Sequence, residues 1–406
     1  MRPYFSLAFG NPGSLHSFGQ EAIYALDCGR ETIAAALGAD FREIIFTGSA
    51  TEANNLALRG AIKGFRLKVL GFSPKIIVSS IEHESILETA EDLKKEGVEV
   101  VYLPVQEEGL VDLKKLASLL DERTVLVSII YASNEVGVIE SIAEIGNLIK
   151  DFRRKKSVSE KSFSLFYPLF HTDASQAFQF LECNVEKLGV DLMTISAHKI
   201  YGPKGVGALY IRNPKHEARN TKQISNSKFQ KPNDKVSDFG FRISDLPAVK
   251  PLVTGGGQEF SLRSGTENVP LIVGFAKAVE LIQKNKEREA KRLSELSEYF
   301  LEGLKKIYPR VELNGRIRKS ERLPNILNIY FPDYEAEHLL LKFDLKGLAV
   351  SAGSACRSRS VEPSYVLQAL GFTKDRIKKS LRISFGRPTT KSEIDKGLGI
   401  IKIILK

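Results

Sequence analysis

The segment Ile195-Ser196-Ala197-His198-Lys199-Ile200-Tyr201-Gly202-Pro203-Lys204-Gly205 places an amine nucleophile at the end of a strand. An apolar run from Val190 to Ile195 reads as a buried strand that stops at a small polar hinge. Gly202, Pro203, Gly205 and Gly207 then prevent a regular helix. A lysine held there against apolar surroundings loses hydration, its pKa falls, and it can form a Schiff base with an aldehyde. Taken alone, a lysine in a glycine-rich loop is more often simply solvated. What surrounds it in sequence decides the matter.

Leu169-Phe170-His171-Thr172-Asp173-Ala174-Ser175-Gln176 is a second short apolar strand, and it ends in an acid. An Asp at one strand end, followed by a lysine at the next, suits a pyridoxal phosphate site. That cofactor needs a carboxylate on its pyridinium nitrogen so that the ring stays protonated and withdraws electrons. Ile44-Ile45-Phe46-Thr47-Gly48-Ser49-Ala50-Thr51-Glu52-Ala53-Asn54-Asn55 reads as strand, Gly-Ser turn and helix start. Free N–H groups and the positive end of the helix dipole make such a turn a phosphate cradle. Turns of this kind commonly just cap helices; three such elements in this order, each at a strand end, carry more weight.

Cys356 lies in Ser351-Ala352-Gly353-Ser354-Ala355-Cys356-Arg357-Ser358-Arg359-Ser360, a small, polar, exposed-looking loop. A nucleophilic thiolate needs access and positive neighbours, which Arg357 and Arg359 supply, whereas an inert buried cysteine would have apolar flanks. Cys28, on an amphipathic helix over Glu21–Gly38, and Cys183, after Phe180-Leu181-Glu182, read as structural.

With these pieces in place the chain resembles the cysteine desulfurases, fold-type I, class V aminotransferase-like enzymes dependent on pyridoxal 5′-phosphate. The matching pieces start with Asn11-Pro12-Gly13-Ser14-Leu15-His16-Ser17-Phe18-Gly19, Ala50-Thr51-Glu52-Ala53-Asn54-Asn55, Ser80-Ile81-Glu82-His83 and Ser133-Asn134-Glu135-Val136-Gly137. After the Asp173 and Lys199 segments come Gly255-Gly256-Gly257-Gln258-Glu259, Arg263-Ser264-Gly265-Thr266 and Gly353-Ser354-Ala355-Cys356, the last as in the iron–sulfur-assembly branch. The resemblance covers nearly the whole chain. It implies that Lys199 holds the cofactor covalently and shuttles protons at the substrate Cα. Cys356 would take the sulfur of L-cysteine as a persulfide, leaving L-alanine. Asp173 would pair with the pyridine nitrogen, Gln176 with the ring hydroxyl, and His83 would stack on the ring and relay a proton. Ala50, Thr51, Ser196 and His198 would bind phosphate, with Thr266 arriving from a second subunit of a homodimer. Arg382 would clamp the substrate carboxylate, assisted by Asn134. The acceptor of the sulfur would be an iron–sulfur scaffold or a tRNA-thiolation protein. Within the class, a selenocysteine lyase or an aminotransferase is the alternative, and outside it a weakly active scaffold of sulfur-transfer assemblies. An aminotransferase needs no cysteine, and a scaffold needs neither Lys199 nor Cys356.

The elements that must position these residues follow from periodicity. Strand-like runs at Ile44–Phe46, Ile76–Ser79, Val98–Tyr102, Val125–Ile130, Phe166–His171, Asp191–Ile195 and Gly207–Ile211 alternate with helical patterns such as Ser85–Glu96 and Ile142–Arg154. This predicts an α/β fold, a mostly parallel seven-stranded sheet sandwiched by helices, with ligands at the strand C-terminal ends. A helix is expected from Asn268 to Ile307, followed by a smaller α+β C-terminal domain. The domain division expected is 15–255 for the large cofactor-binding domain and 1–14 with 265–406 for the small one. Arg153 to Ser164 and the 213–251 stretch read as polar insertions.

Composition narrows the class. The 406 residues, 43% of them hydrophobic, can bury a large core. No run is apolar enough to span a bilayer, and three distant cysteines argue against a disulfide framework, so a cytoplasmic, reducing location is expected. The net charge of +10 suits acidic protein partners; because the positive residues are dispersed, a nucleic-acid surface is not expected. No His/Cys/Asp cluster has metal-ligand spacing, so no metal is expected. His16, His171, His216 and His338 have no assigned role. Relatives begin with a strand and an Asp-Asn-Ala-Thr-Thr-like stretch, whereas Asn11-Pro12 follows Met1 almost at once; the expectation is an incompletely walled substrate pocket, with cofactor binding kept and turnover lowered.

Overall fold

The structure is a computed structural model that describes residues 1–66, 73–159, 167–213, 249–315, 321–353 and 363–405. Its centre is a seven-stranded sheet of β1 (Ile44–Thr47), β2 (Lys75–Ser79), β3 (Glu99–Leu103), β4 (Thr124–Ser128), β5 (Leu169–Asp173), β6 (Leu192–Ser196) and β7 (Gly207–Ile211). The spatial order is β1-β7-β6-β5-β4-β2-β3. β3, β2, β4, β5 and β6 run parallel, while β7 is antiparallel to both β6 and β1. Every residue of β1, β2, β4, β5, β6 and β7 is buried, as expected of unbroken apolar runs covered by helices on both faces. Only the edge strand β3 is half-open.

The sequence expectation for β5 is displaced. Phe166 lies outside the described residues, and Pro168 lacks an amide hydrogen, so the ladder begins at Leu169 and extends to Asp173. The displacement puts Asp173 itself on the last rung of the strand. The insertion expected from Arg153 to Ser164 is corrected in its first part: the helix expected to end at Arg154 runs on to Ser159. Arg153 is held there by Asp191 and by the carbonyl of Pro168, to which its Nε donates at 2.9 Å. A charged run read as an insertion is thus the end of a helix tied to the residue before β6. Positions 160–164 of that expected insertion, and 214–248 of the longer one, lie outside the described residues.

The helix Ser17–Leu37 starts at His16, whose ring accepts from the Gly19 amide, and ends at Gly38 in the left-handed region (φ 65°). It packs against the long helix Val269–Ile307, where Gly29 lets the two approach: a Cβ at that position would stand 3.1 Å from Ile272. Beyond this helix, β8 (Glu312–Leu313), β9 (Ile326–Tyr330) and β10 (Ser380–Ser384) form a three-stranded antiparallel sheet. One apolar cluster runs from Leu26 and Phe46 through Phe275 and Phe300 to Leu327 and Leu381, joining both sheets. No helix among the described residues is long and apolar enough to cross a membrane.

Candidate active site

Strand register gathers the expected residues at one edge of the large sheet. Asp173 on β5 is level with Thr194 on β6, two residues before Ser196. Ser196 is in turn level with Gly207 on β7, and Gly207 with Thr47 on β1. The start of the helix Ala50–Arg66, the His198-Lys199 turn and Asp173 therefore open toward the same rim.

At the ring end the geometry is buried and linked by hydrogen bonds. Asn54, fully buried on the helix Ala50–Arg66, donates at 2.8 Å to Oδ2 of Asp173 and at 2.8 Å to Oγ of Ser85. Oδ1 of Asp173 accepts from the Ser175 amide at 2.9 Å. Ser85 Oγ lies 2.9 Å from Nδ1 of His83, which also accepts from the Ser85 amide at 3.1 Å. An Nδ1 that accepts must be unprotonated, so the neutral His83 carries its proton on Nε2. The result is a continuous His83–Ser85–Asn54–Asp173 chain that fixes both a base and a carboxylate.

Two further ionisable groups flank it. Glu82 is completely buried, and desolvation together with the nearby Asp173 carboxylate pushes its pKa well above the usual carboxyl range; Oε1 accepts from the Ile130 amide at 2.5 Å. His171, also fully buried, is pushed down to about 4 by burial and sits between Ser128 and Thr194 at 2.8 and 3.1 Å. Burial thus favours the protonated carboxyl at Glu82 and the neutral imidazole at His171.

The phosphate end is built differently. A Cβ on Gly207 would lie 2.8 Å from the Ala50 amide nitrogen, so only glycine lets β7 press against the first turn of the helix Ala50–Arg66. Ser49 Oγ caps that turn by accepting from the Glu52 amide at 3.1 Å, and Glu52 accepts from the Gly48 amide at 2.7 Å. Opposite, Ser196 Oγ and His198 Nδ1 are 2.9 Å apart. The His198 pKa is lowered, first by loss of solvent around the ring and then by the charges of Lys199, Lys204 and His83. Lys199 and Lys204 thus place positive charge near His198 beside a helix N-terminus, an arrangement that favours a dianion. Lys199 sits on the short 3-10 turn Ala197–Ile200. It is exposed in the single chain, as are His198, Thr51 and Thr266.

On the small-sheet side, Arg382 on β10 donates through Nη1 to the Asn134 carbonyl at 2.9 Å, which brings together the two residues expected to bind a carboxylate. Asn134 Oδ1 is buried with no hydrogen bond among the described residues. Gln176 is half-buried just past the Asp173 strand end. Cys356 lies outside the described residues. The chain that enters its loop, at Ser351, exchanges two backbone hydrogen bonds with Arg382 at 3.1 and 2.7 Å, and Ser364, just beyond, donates to Glu135 at 2.5 Å. Both flanks are thus fastened to the Asn134–Arg382 region. Cys183 is buried and its thiol is pushed up to about 12, which fits a structural role; Cys28 is half-buried.

These residues fit pyridoxal phosphate: a buried carboxylate for the ring nitrogen, a cationic cradle at a glycine-spaced helix start, and an orphaned Asn134 acceptor. Asn54, Ser85 and Ser175 were not singled out as site residues from sequence. The only signal was that Asn54 falls one turn into the helix that begins at Ala50, on the same face.

Residues 1–396 match the aminotransferase class-V family. A protein of Dictyoglomus turgidum named cysteine desulfurase IscS is 41% identical over 406 residues, which is 100% of this chain and 90% of that protein. Among solved structures, a NifS-like protein aligns with a TM-score of 0.81 at 32% identity, covering 100% of this chain and 93% of that one. A structure of SspA in complex with cysteine aligns with a TM-score of 0.70 at 32% identity, covering 95% and 93%.

Proposed function

The chain belongs to the aminotransferase class-V family, and within it we propose a pyridoxal phosphate-dependent cysteine desulfurase that converts L-cysteine to L-alanine. The observation that carries the reading is the meeting of the buried Asp173 chain with the Ser196–His198–Lys199 turn along one rim of the sheet. When bound there, the cofactor supplies an electron-withdrawing ring that stabilises negative charge at the substrate Cα.

The residues of the chain do the rest. Asp173, oriented by Asn54 and Ser175, would hold the proton on the ring nitrogen. Gln176 would meet the ring hydroxyl and His83 would stack on the ring. Ala50, Thr51, Ser196 and His198 would hold the phosphate, joined by Thr266 of a second copy in a homodimer. Arg382 and Asn134 take the substrate carboxylate and amine end, orienting the side chain toward the Cys356 loop. Lys199 anchors the cofactor, then removes and returns the proton at Cα. The Cys356 thiolate attacks the substrate sulfur: an S–S bond forms, the substrate C–S bond breaks, and its electron pair stays with Cβ. A proton there completes alanine, and Cys356 is left as a persulfide. From Cys356 the sulfur passes to an acceptor protein such as an iron–sulfur scaffold, in a reducing cytoplasmic setting.

The test is stoichiometric. Purified protein given L-cysteine and a thiol reductant should release alanine and sulfide in equal amounts. Cys356→Ser should keep the cofactor absorbance yet form no persulfide, because serine cannot accept sulfur. Persulfide carried on Cys28 or Cys183 instead would sink the assignment.

A further inference from the structure

The loop that carries Thr266 is held by a buried ion pair with no part in the chemistry described above. Arg30, on the helix Ser17–Leu37, donates through both terminal nitrogens to Glu259 at 2.7 Å each, and the two side chains are 3% and 2% exposed. The pair has further partners, although Arg30 Nε is buried with none among the described residues. Arg30 also donates to the Ile44 carbonyl at 2.5 Å, and Glu259 accepts from the Phe46 amide at 2.8 Å. The guanidinium lies 4.9 to 5.4 Å from the rings of Phe41, Phe46 and Phe260. A buried pair persists where added hydrogen bonds and stacking offset the desolvation of both charges.

What this clamp holds is strained. Glu259, Phe260 and Ser261 have φ of 47°, 56° and 65°, three consecutive non-glycine residues in the left-handed region. Such conformations persist only when the surroundings over-determine them, and they gather where geometry matters for function. From the turn the contacts lead to Thr266 in two steps. Gln258, next to Glu259, accepts through Oε1 from the Gly265 amide at 2.9 Å, which fixes the residue preceding Thr266. Arg263 donates to Glu52 at 2.7 Å, and Glu52 holds the Gly48 amide at the start of the phosphate cradle. Glu259 and Thr266 also line the same cleft of about 180 Å³, with Thr47 and Gly48.

We infer that Arg30 and Glu259 are positioning residues for phosphate recognition: through Gln258 and Gly265 they set Thr266 against the cofactor phosphate of a neighbouring copy. The inference rests on the reading of Thr266 as a phosphate ligand. A core ion pair that served stability alone would need no strained turn next to it, and no side-chain link from that turn to Gly265.

The experiment separates phosphate recognition from folding. Full-length protein freed of cofactor is titrated with pyridoxal phosphate and with pyridoxal, which joins Lys199 in the same way but has no phosphate. The ratio of the two dissociation constants reports the phosphate contacts alone. Glu259→Gln, which keeps the shape and removes the charge, is expected to reduce the preference for pyridoxal phosphate by about tenfold, the lower end of what outer contacts to ligating groups are worth. Its pyridoxal affinity should be unchanged. Gln258→Ala, which leaves no buried charge unpaired, should reduce the preference as well and decides the matter if Glu259→Gln does not fold. Thr266→Ala is the control and should lower the same ratio. If it does while both other variants keep the parent ratio, the clamp is overturned and the Thr266 reading stands. If Thr266→Ala keeps the parent ratio, that reading falls and the inference with it. Equal weakening of both ligands in Gln258→Ala and Glu259→Gln would mark a general loosening and overturn the positioning role.

Discussion

The two ends of the candidate site are made of different material. At the ring end, Asp173, Asn54 and Ser85 are 5%, 0% and 8% exposed, and each is hydrogen-bonded to the next. At the phosphate end, Thr51, His198, Lys199 and Thr266 are exposed, and order comes from backbone turns and glycine spacing. One chain therefore fixes the ring end by itself. The phosphate end presents donors outward, where a cofactor and a second copy can complete them. The contrast teaches where substitutions should be costly to the fold and where they should be costly only to binding.

The largest effect tests the open end. Lys199→Ala should abolish the cofactor absorbance and lower turnover by at least about 10⁴-fold, since the anchor and a proton-transfer group each worth about 10²–10⁴ are lost together. Its thermal midpoint without cofactor should match the parent, because the side chain is exposed. A parent-like absorbance band in this variant would remove Lys199 from its role. Asn54→Ala tests the closed end. It strips a hydrogen bond from the buried Asp173 carboxylate and another from Ser85, so it should cost about 1–3 kcal/mol of stability, read by denaturant midpoints. Thr51→Ala should stay within about 0.5 kcal/mol of the parent, as exposed substitutions do. Equal costs for the two would erase the distinction between the ends.

What the sequence revealed follows the same division. The seven strands, and the strand-end positions of Asp173 and Lys199, were legible because buried strands write unbroken apolar runs that stop at polar residues. Asn54 was not, because a polar residue inside a helical pattern looks the same whether it faces solvent or a carboxylate on another strand. The Arg30–Glu259 pair was equally silent, since nothing local marks partners that meet only across the fold. The exposure of Lys199 in the single chain was hidden for a related reason: a sequence shows where a strand stops, not what covers its end. The insertion expected from Arg153 onward erred in the opposite direction: the charged run ends the helix Ile142–Ser159, where Arg153 pairs with Asp191.

A smaller effect concerns pH. His171 has its pKa pushed down to about 4 inside the fold, against an ordinary value near 6.5. Unfolded chains thus bind a proton in that window that the native state refuses, and stability should fall as pH drops from about 6.5 toward 4. Glu82 works the other way. Its raised pKa means the native state keeps a proton that the unfolded chain gives up, so its contribution is lost as pH rises above the ordinary carboxyl range. His171→Gln should be less stable than the parent at neutral pH, having lost contacts to Ser128 and Thr194, yet show a flatter stability profile between pH 4.5 and 6.5. Urea midpoints across that range provide the check. A slope as steep as the parent's would mean that another group carries the acid sensitivity.

The smallest expected effect lies in the closed part of the molecule. Cys183 is 1% exposed, and burial pushes its thiol to about 12, with Lys286 offsetting only part of that. At pH 7 the thiolate fraction is then on the order of 10⁻⁵, and the sulfur has no path to solvent. An alkylating reagent applied to the native protein should modify Cys356 and leave Cys183 untouched until denaturant is added. Cys183→Ala should keep persulfide formation and alanine release at parental levels, because the residue acts as a small hydrophobe against Tyr131 and Lys286 rather than as a nucleophile. Its cost should appear only in stability, at about 1 kcal/mol for the volume removed. Mass spectrometry of the native, L-cysteine-treated protein reads both points at once. Label or persulfide on Cys183 would show that this buried region opens during turnover, and the boundary between the fixed and the open parts of the site would have to be redrawn around it.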